Sequence, residues 1–119
     1  MVKMITLSKA ELAWTSFLGH IEINHYLWAG YRKEKPEDRF HPTQKPLDVI
    51  LWCIRQADKN NQCNIIFDPF MGSGTTAVVA KRLGRNFLGC EIKSEFVEIA
   101  NKRLEDEQEI HQRAIKVRK

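Results

Sequence analysis

One short segment concentrates residue types that do chemistry together: Asp68-Pro69-Phe70-Met71-Gly72-Ser73-Gly74-Thr75-Thr76-Ala77, with Glu91 standing 23 residues after Asp68. Glycines at this spacing let the backbone adopt positive φ and come close to a ligand. A helix beginning directly after them presents open N–H groups that attract an anion. A carboxylate ending the next strand can accept hydrogen bonds from both hydroxyls of a ribose. The segment is suited to a nucleotide-like ligand.

That chemistry requires a strand before the loop, a helix after it and a second strand leading to Glu91. Each has a local signal. Ile65-Ile66-Phe67, closed by Asp68-Pro69, reads as a short buried strand. A helix is expected over 75–83, stopped by Gly84, and a strand over 86–92. The order strand, loop, helix, strand is a βαβ unit, so 64–92 should belong to a right-handed parallel sheet of an α/β fold. Upstream, Leu47, Ile50, Leu51, Ile54 and Ala57 recur at helical spacing after Pro46, which suits a first helical turn. The polar run 58–62 ends that helix. Ser94 is expected to cap a last helix through about Leu104, followed by a polar, frayed helical tail over 105–119. Residues 11–18 are rich in strand formers and 21–28 begin with an apolar/polar alternation. With Gly19-His20 between them they suggest an N-terminal antiparallel hairpin, followed by a charged loop over 30–41. A single domain is expected: hairpin and loop over 1–40, a ligand-binding unit over 41–104, and the tail.

Several ligands compete for the loop. A purely structural turn is the plainest reading of two glycines, but the flanking strand, helix and acid argue against it. A phosphate-binding P-loop fails, because no Gly-Lys-Ser/Thr follows. A dinucleotide site survives formally, since Gly72, Gly74 and Ala77 satisfy the Gly-x-Gly-x-x-Gly/Ala spacing. Against it, Asp68 places a carboxylate where a pyrophosphate would be repelled. A carboxylate there suits a cationic group such as an amino-acid ammonium. The expected ligand carries an adenosine and an amino acid.

These residues also carry a family resemblance. Phe67-Asp68-Pro69-Phe70-Met71-Gly72-Ser73-Gly74-Thr75 resembles the S-adenosylmethionine-binding motif of the DNA amino-methyltransferases. His41-Pro42-Thr43-Gln44-Lys45-Pro46 resembles the segment just before that motif in the family's permuted, beta-type order. Gly89-Cys90-Glu91-Ile92 is similar to its ribose-binding acid. Ala13-Trp14-Thr15-Ser16-Phe17 and Trp28-Ala29-Gly30-Tyr31 resemble upstream stretches of phage-type members. The resemblance covers roughly residues 10–104. It implies a partial Rossmann-like methyltransferase fold and S-adenosylmethionine as cofactor. By motif, Asp68, Pro69, Phe70, Gly72, Ser73, Gly74 and Thr75 would hold the methionine portion and line the sulfonium. Thr43 and Lys45 would reach its carboxylate, with His41 orienting that segment. Glu91 would take the ribose hydroxyls and Ile92 would pack on the adenine. Trp14, Trp28 and Trp52 read as core residues rather than base-stacking ones.

Methylating an exocyclic amine also requires flipping the base and gripping its amine. The family does this with an Asp/Asn/Ser-Pro-Pro-aromatic loop. Here the prolines stand at 36, 42, 46 and 69, none adjacent. In the permuted order that half precedes the cofactor half, so Met1 is expected to lie beyond the catalytic motif and the isolated chain to be weak or inactive. Central strands would then be missing. The strand at 65–67 would keep an exposed apolar edge, predicting self-association or pairing with a chain that carries the catalytic half. The substrate implied is double-stranded DNA, methylated on adenine or cytosine. A non-catalytic remnant that binds a partner chain or DNA is the alternative.

Composition sets outer bounds. The chain has 119 residues with a net charge of +4, and the excess of basic groups sits in 41–104. Mild basicity suits a polyanion partner without specifying one. No apolar run approaches the ~18 residues of a membrane span, and Met1-Val2-Lys3 does not lead into a signal-peptide core. Cys53, Cys63 and Cys90 offer neither a disulfide framework nor zinc spacing. Reduced, buried thiols in a cytoplasmic protein are the expectation.

Overall fold

The computed structural model describes residues 44–117 continuously and, before them, residues 13, 15, 16, 21–26, 28, 29, 32 and 33. Its centre is the expected βαβ unit. Strand β3 (Ile65–Asp68) leads through the glycine loop into helix α2 (Thr75–Arg82), and the chain returns as β4 (Asn86–Gly89). The two strands pair in parallel, with Ile66 opposite Phe87 and Phe67 opposite Leu88. Parallel pairing needs a crossover, and α2 supplies it.

Helix α2 lies among the other elements, packing on both strands, on α1 (Leu47–Ala57) and on α3 (Ser94–Val117). A helix covered on several sides can be apolar on most of its surface. Ala77, Val78, Val79 and Ala80 are accordingly all buried and, with Ala100 of α3, form the apolar core. Small side chains let the helices approach closely. The C-terminus of α2 closes as its pattern predicts. Gly84 takes φ +66°, and the Arg85 N–H reaches back to the Ala80 carbonyl at 2.9 Å, a left-handed stop that favours glycine.

Polar ties hold the corners. Asp58, which follows α1, accepts from the Gln62 and Cys63 N–H groups at 2.7 and 3.1 Å. Its second oxygen pairs with Arg85 at 3.1 Å, and Arg85 also bonds Asn61. The end of α1, the approach to β3 and the approach to β4 are thereby joined. On the other flank Lys81 donates to the Leu104 carbonyl at 2.7 Å, and Arg82 pairs with Glu107.

Several expectations need correction. Residues 21–26 form no strand despite their alternation, and Ile21 is 93% exposed. Alternation makes a strand only where a partner supplies hydrogen bonds and a surface to cover. The antiparallel pairing falls further along, between β1 (Trp28–Ala29) and β2 (Arg32–Lys33), two residues each. Most of 11–18 lies outside the described residues. Strand β4 ends at Gly89 rather than 92, because Cys90 turns to accept from the Met71 N–H at 3.0 Å. Ser94 is the first helical residue and not the cap. The Lys93 carbonyl accepts from Phe96 and Val97, so the cap position is Lys93. Helix α3 runs unbroken from Ser94 to Val117, so the polar helical tail expected after Leu104 is a continuation of the same helix. The thiols are not buried: Cys53 and Cys63 are half-exposed and Cys90 is exposed. Partial burial still pushes the Cys53 thiol above its ordinary pKa. Trp52 is half-buried on α1. Among the described residues no helix is long and apolar enough to cross a membrane.

Candidate functional site: the glycine-loop cleft

The loop between β3 and α2 is built from its own hydrogen bonds. Asp68 Oδ1 accepts from the Phe70 N–H at 3.0 Å, which turns the chain through Pro69. The Met71 N–H is held by the Cys90 carbonyl, and the Gly74 N–H by the Met71 carbonyl at 2.9 Å. Gly72 and Gly74 take φ of +53° and +79°, the left-handed region where a Cβ is strained.

The two glycines do different things. A Cβ on Gly74 would lie 2.6 Å from the Ala100 Cβ, so its bareness lets α3 press on the start of α2. A Cβ on Gly72 would meet nothing within 4 Å. Gly72 borders open space, where a ligand can approach the backbone.

Glu91 closes the loop from the far strand. Its Oε2 accepts from the Gly72 N–H at 3.0 Å and its Oε1 from the Lys93 N–H at 2.9 Å. Each carboxylate oxygen has a second lone pair. The acid can therefore hold the loop and still accept from a ligand hydroxyl.

The resulting cleft, about 260 Å³, is lined by Asp68, Phe70, Met71, Gly72, Ser73, Thr75, Thr76 and Glu91, with Gln44, Lys45 and Ile50 from the approach to α1 and the helix itself. Two carboxylates and one lysine ammonium give it acceptors and a modest negative character. That favours hydroxyls and a cation over a polyphosphate. A second, more open hollow of about 360 Å³ lies between residues 24–26 and α1, with Asp48, Trp52 and Arg55 on its wall. It has no glycine loop and no paired acids.

Of the residues singled out in the sequence, Lys45, Asp68, Phe70, Gly72, Ser73, Thr75 and Glu91 share this cleft. Pro69 and Gly74 shape it without lining it. Ile92 does not line it either, and its side chain is 96% exposed. His41 and Thr43 lie outside the described residues.

Gln44 and Arg103 were not foreseen. Gln44 is buried between two residues that were, and its Oε1 accepts from the Ser73 hydroxyl at 3.1 Å. Arg103 is buried beneath the loop. Its Nη1 donates to the Ser73 carbonyl at 2.7 Å, and to the Ser73 and Thr75 hydroxyls at 3.2 Å each. One signal could have flagged it. Phe96, Ala100 and Arg103 fall on one helical stripe, and a cation on the face carrying buried Ala100 needs acceptors.

A family model described as DNA methylase matches residues 14–102. The Type II methyltransferase M2.DpnII of Streptococcus pneumoniae is 47% identical over 85 residues, covering 70% of this chain and 31% of that protein. M1.MboII of Moraxella bovis, also a Type II methyltransferase, is 52% identical over 61 residues, covering 51% and 23%. The chain thus spans less than a third of the length of these relatives. A solved structure described as an M1.HpyAVI–SAM complex is 43% identical with a TM-score of 0.47, covering 55% of this chain and 31% of that one.

Proposed function

Because this chain belongs to the DNA methylase family, we propose that it is the S-adenosylmethionine-binding portion of an enzyme that methylates the exocyclic amine of adenine or cytosine in double-stranded DNA. The observation that carries the proposal is Glu91 hydrogen-bonded to the Gly72 N–H on the wall of a cleft that Asp68 also lines. The cofactor's ribose needs acceptors, its ammonium and sulfonium need nearby negative charge, and its thin chain needs a backbone without Cβ atoms. Glu91, Asp68 and Gly72 meet those needs in turn. S-adenosylmethionine supplies an electrophilic methyl group when bound. The chain's own contribution is to hold the donor: Lys45, with Thr43, takes the carboxylate end, and Phe70 and Met71 line the sulfonium side.

Calorimetric titration with S-adenosylmethionine tests the proposal. A saturable heat with one site per chain is expected, and a folded protein that takes up no ligand would overturn it. Gripping the base is assigned to a Pro-Pro-aromatic loop not found in these 119 residues. Little or no methylation of unmodified DNA is expected from this chain alone.

The sheet supports a proposal about partners. One face of β3 and β4 covers α2, while the other leaves Ile65, Phe67 and Leu88 between 57 and 62% exposed. Contiguous apolar surface of this kind marks a contact site. We assign it to a second polypeptide, either another copy of the chain or one that carries the base-gripping half. For the first case, light scattering should show self-association at high concentration. It should be lost in the Phe67→Ser/Leu88→Ser variant with its circular dichroism unchanged. A wild-type chain that stays monomeric would exclude self-association.

A further inference from the structure

Arg103 sits on α3, 30 residues from the glycine loop in sequence. Its Nη1 has two hydrogens and three oxygen acceptors within 3.2 Å: the Ser73 carbonyl, the Ser73 hydroxyl and the Thr75 hydroxyl. A guanidinium in a protein only donates and does not lose its proton. The Ser73 oxygen must therefore accept on the Arg103 side, and its single proton is left for Gln44 Oε1 at 3.1 Å. The direction of the chain Arg103 to Ser73 to Gln44 is imposed by the cation at its start. It ends on the residue that joins Lys45 to the loop.

We propose that Arg103 is a positioning residue of the cleft: by orienting the Ser73 hydroxyl it docks Gln44 on the glycine loop and so places Gln44 and Lys45 over the amino-acid end of the ligand. The inference rests on the cofactor site proposed above and adds a residue that does not line it. Arg103 is not among the residues lining the cleft. Its effect passes through two others, and it should therefore be selective. Only a ligand that has the amino-acid moiety reports on Gln44 and Lys45, whereas the ribose contacts depend on Glu91.

Two probes separate these ends. S-adenosylhomocysteine carries adenosine and the amino acid, and 5′-methylthioadenosine carries adenosine and a thioether alone. Affinities of both are measured by calorimetry for the wild-type chain, Arg103→Lys, Ser73→Ala and their combination, each first checked for cooperative thermal unfolding. Lysine keeps the charge but lacks the planar fork that reaches several acceptors. Ser73→Ala removes the relay while leaving the backbone carbonyl for Arg103. Each single variant is expected to lose about tenfold for S-adenosylhomocysteine, the scale of one hydrogen bond lost at a charged ligand group. The combination should lose no more than the larger single effect, and 5′-methylthioadenosine should stay within about twofold throughout. Gln44→Met, which removes the acceptor at similar volume, should reproduce the pattern if Arg103→Lys folds poorly. Equal losses for both probes, or losses that multiply in the combination, would reduce Arg103 to a structural residue. If the wild-type chain binds both probes and the variants keep its ratio, only this inference falls. If the wild-type chain binds neither, the cofactor reading falls with it.

Discussion

Alanine at position 74 is expected to lower the unfolding free energy by about 2–4 kcal/mol. Two costs add. The residue holds φ +79°, where a Cβ meets its own backbone, and that Cβ would lie 2.6 Å from the Ala100 Cβ and 3.1 Å from its Cα. The Ala100 Cα is backbone, so relief requires α3 to move away from α2, which carries most of the buried core. The entropy that alanine removes from the unfolded chain offsets less than about 1 kcal/mol. Gly72→Ala is the control. It shares the positive φ, at +53°, but its Cβ meets nothing within 4 Å, so only the conformational strain of about 1 kcal/mol applies. Urea denaturation followed by circular dichroism compares them. Similar midpoints for the two variants would mean that the contact between α2 and α3 is not tight.

The second large effect concerns Glu91. Glu91→Ala should weaken S-adenosylmethionine binding by about 1.5–3 kcal/mol, or roughly 10- to 150-fold, since hydrogen bonds to a carboxylate are the stronger kind. The sharper test is Glu91→Gln. Both carboxylate oxygens accept backbone N–H groups, from Gly72 and Lys93. An amide has one acceptor, and its NH₂ would face a donor at the other place. Glutamine is therefore expected to perform nearly as poorly as alanine despite its shape. Both variants should lose affinity for 5′-methylthioadenosine as well, because the ribose is common to all these ligands. Wild-type affinity in Glu91→Gln, measured by calorimetry, would remove Glu91 from the site.

What the sequence disclosed follows the range of the forces involved. The βαβ unit was legible because each part has a local cause. Ile65-Ile66-Phe67 is an apolar run of strand formers, Gly84 a left-handed stop, and the glycine pair a turn between them. The run was expected to be buried, but Ile65 and Phe67 are 62 and 57% exposed, because only one face of the two-stranded sheet is covered. Seven of the twelve residues put forward for the ligand share the cleft, all but Lys45 within 68–91 and so brought together by one crossover. Contacts between distant segments were not legible. Nothing near Ser73 points to Arg103, and Gln44 stood unremarked between Thr43 and Lys45. Ile92 was placed on the adenine by motif alone, and it stands 96% exposed directly after Glu91. The alternation at 21–26 failed for the complementary reason: a period of two describes a strand's faces, but only a neighbouring strand makes it one.

The hydrogen bonds inside the glycine loop have a bearing on what it can recognise. From Phe70 to Gly74 the backbone has five amide donors, and four are engaged, by Asp68, Cys90, Glu91 and Met71. Loops that cradle phosphate work in the opposite way, aiming successive open amides at the anion. This loop has the glycine spacing of such a nest with four of its five amides already engaged by the protein. It therefore discriminates by polarity: it gives a ligand carbonyls, carboxylates and room, and gives a pyrophosphate little to bind. The dinucleotide spacing of Gly72, Gly74 and Ala77 reports on how tightly the chain turns there, and not on the charge of what it holds.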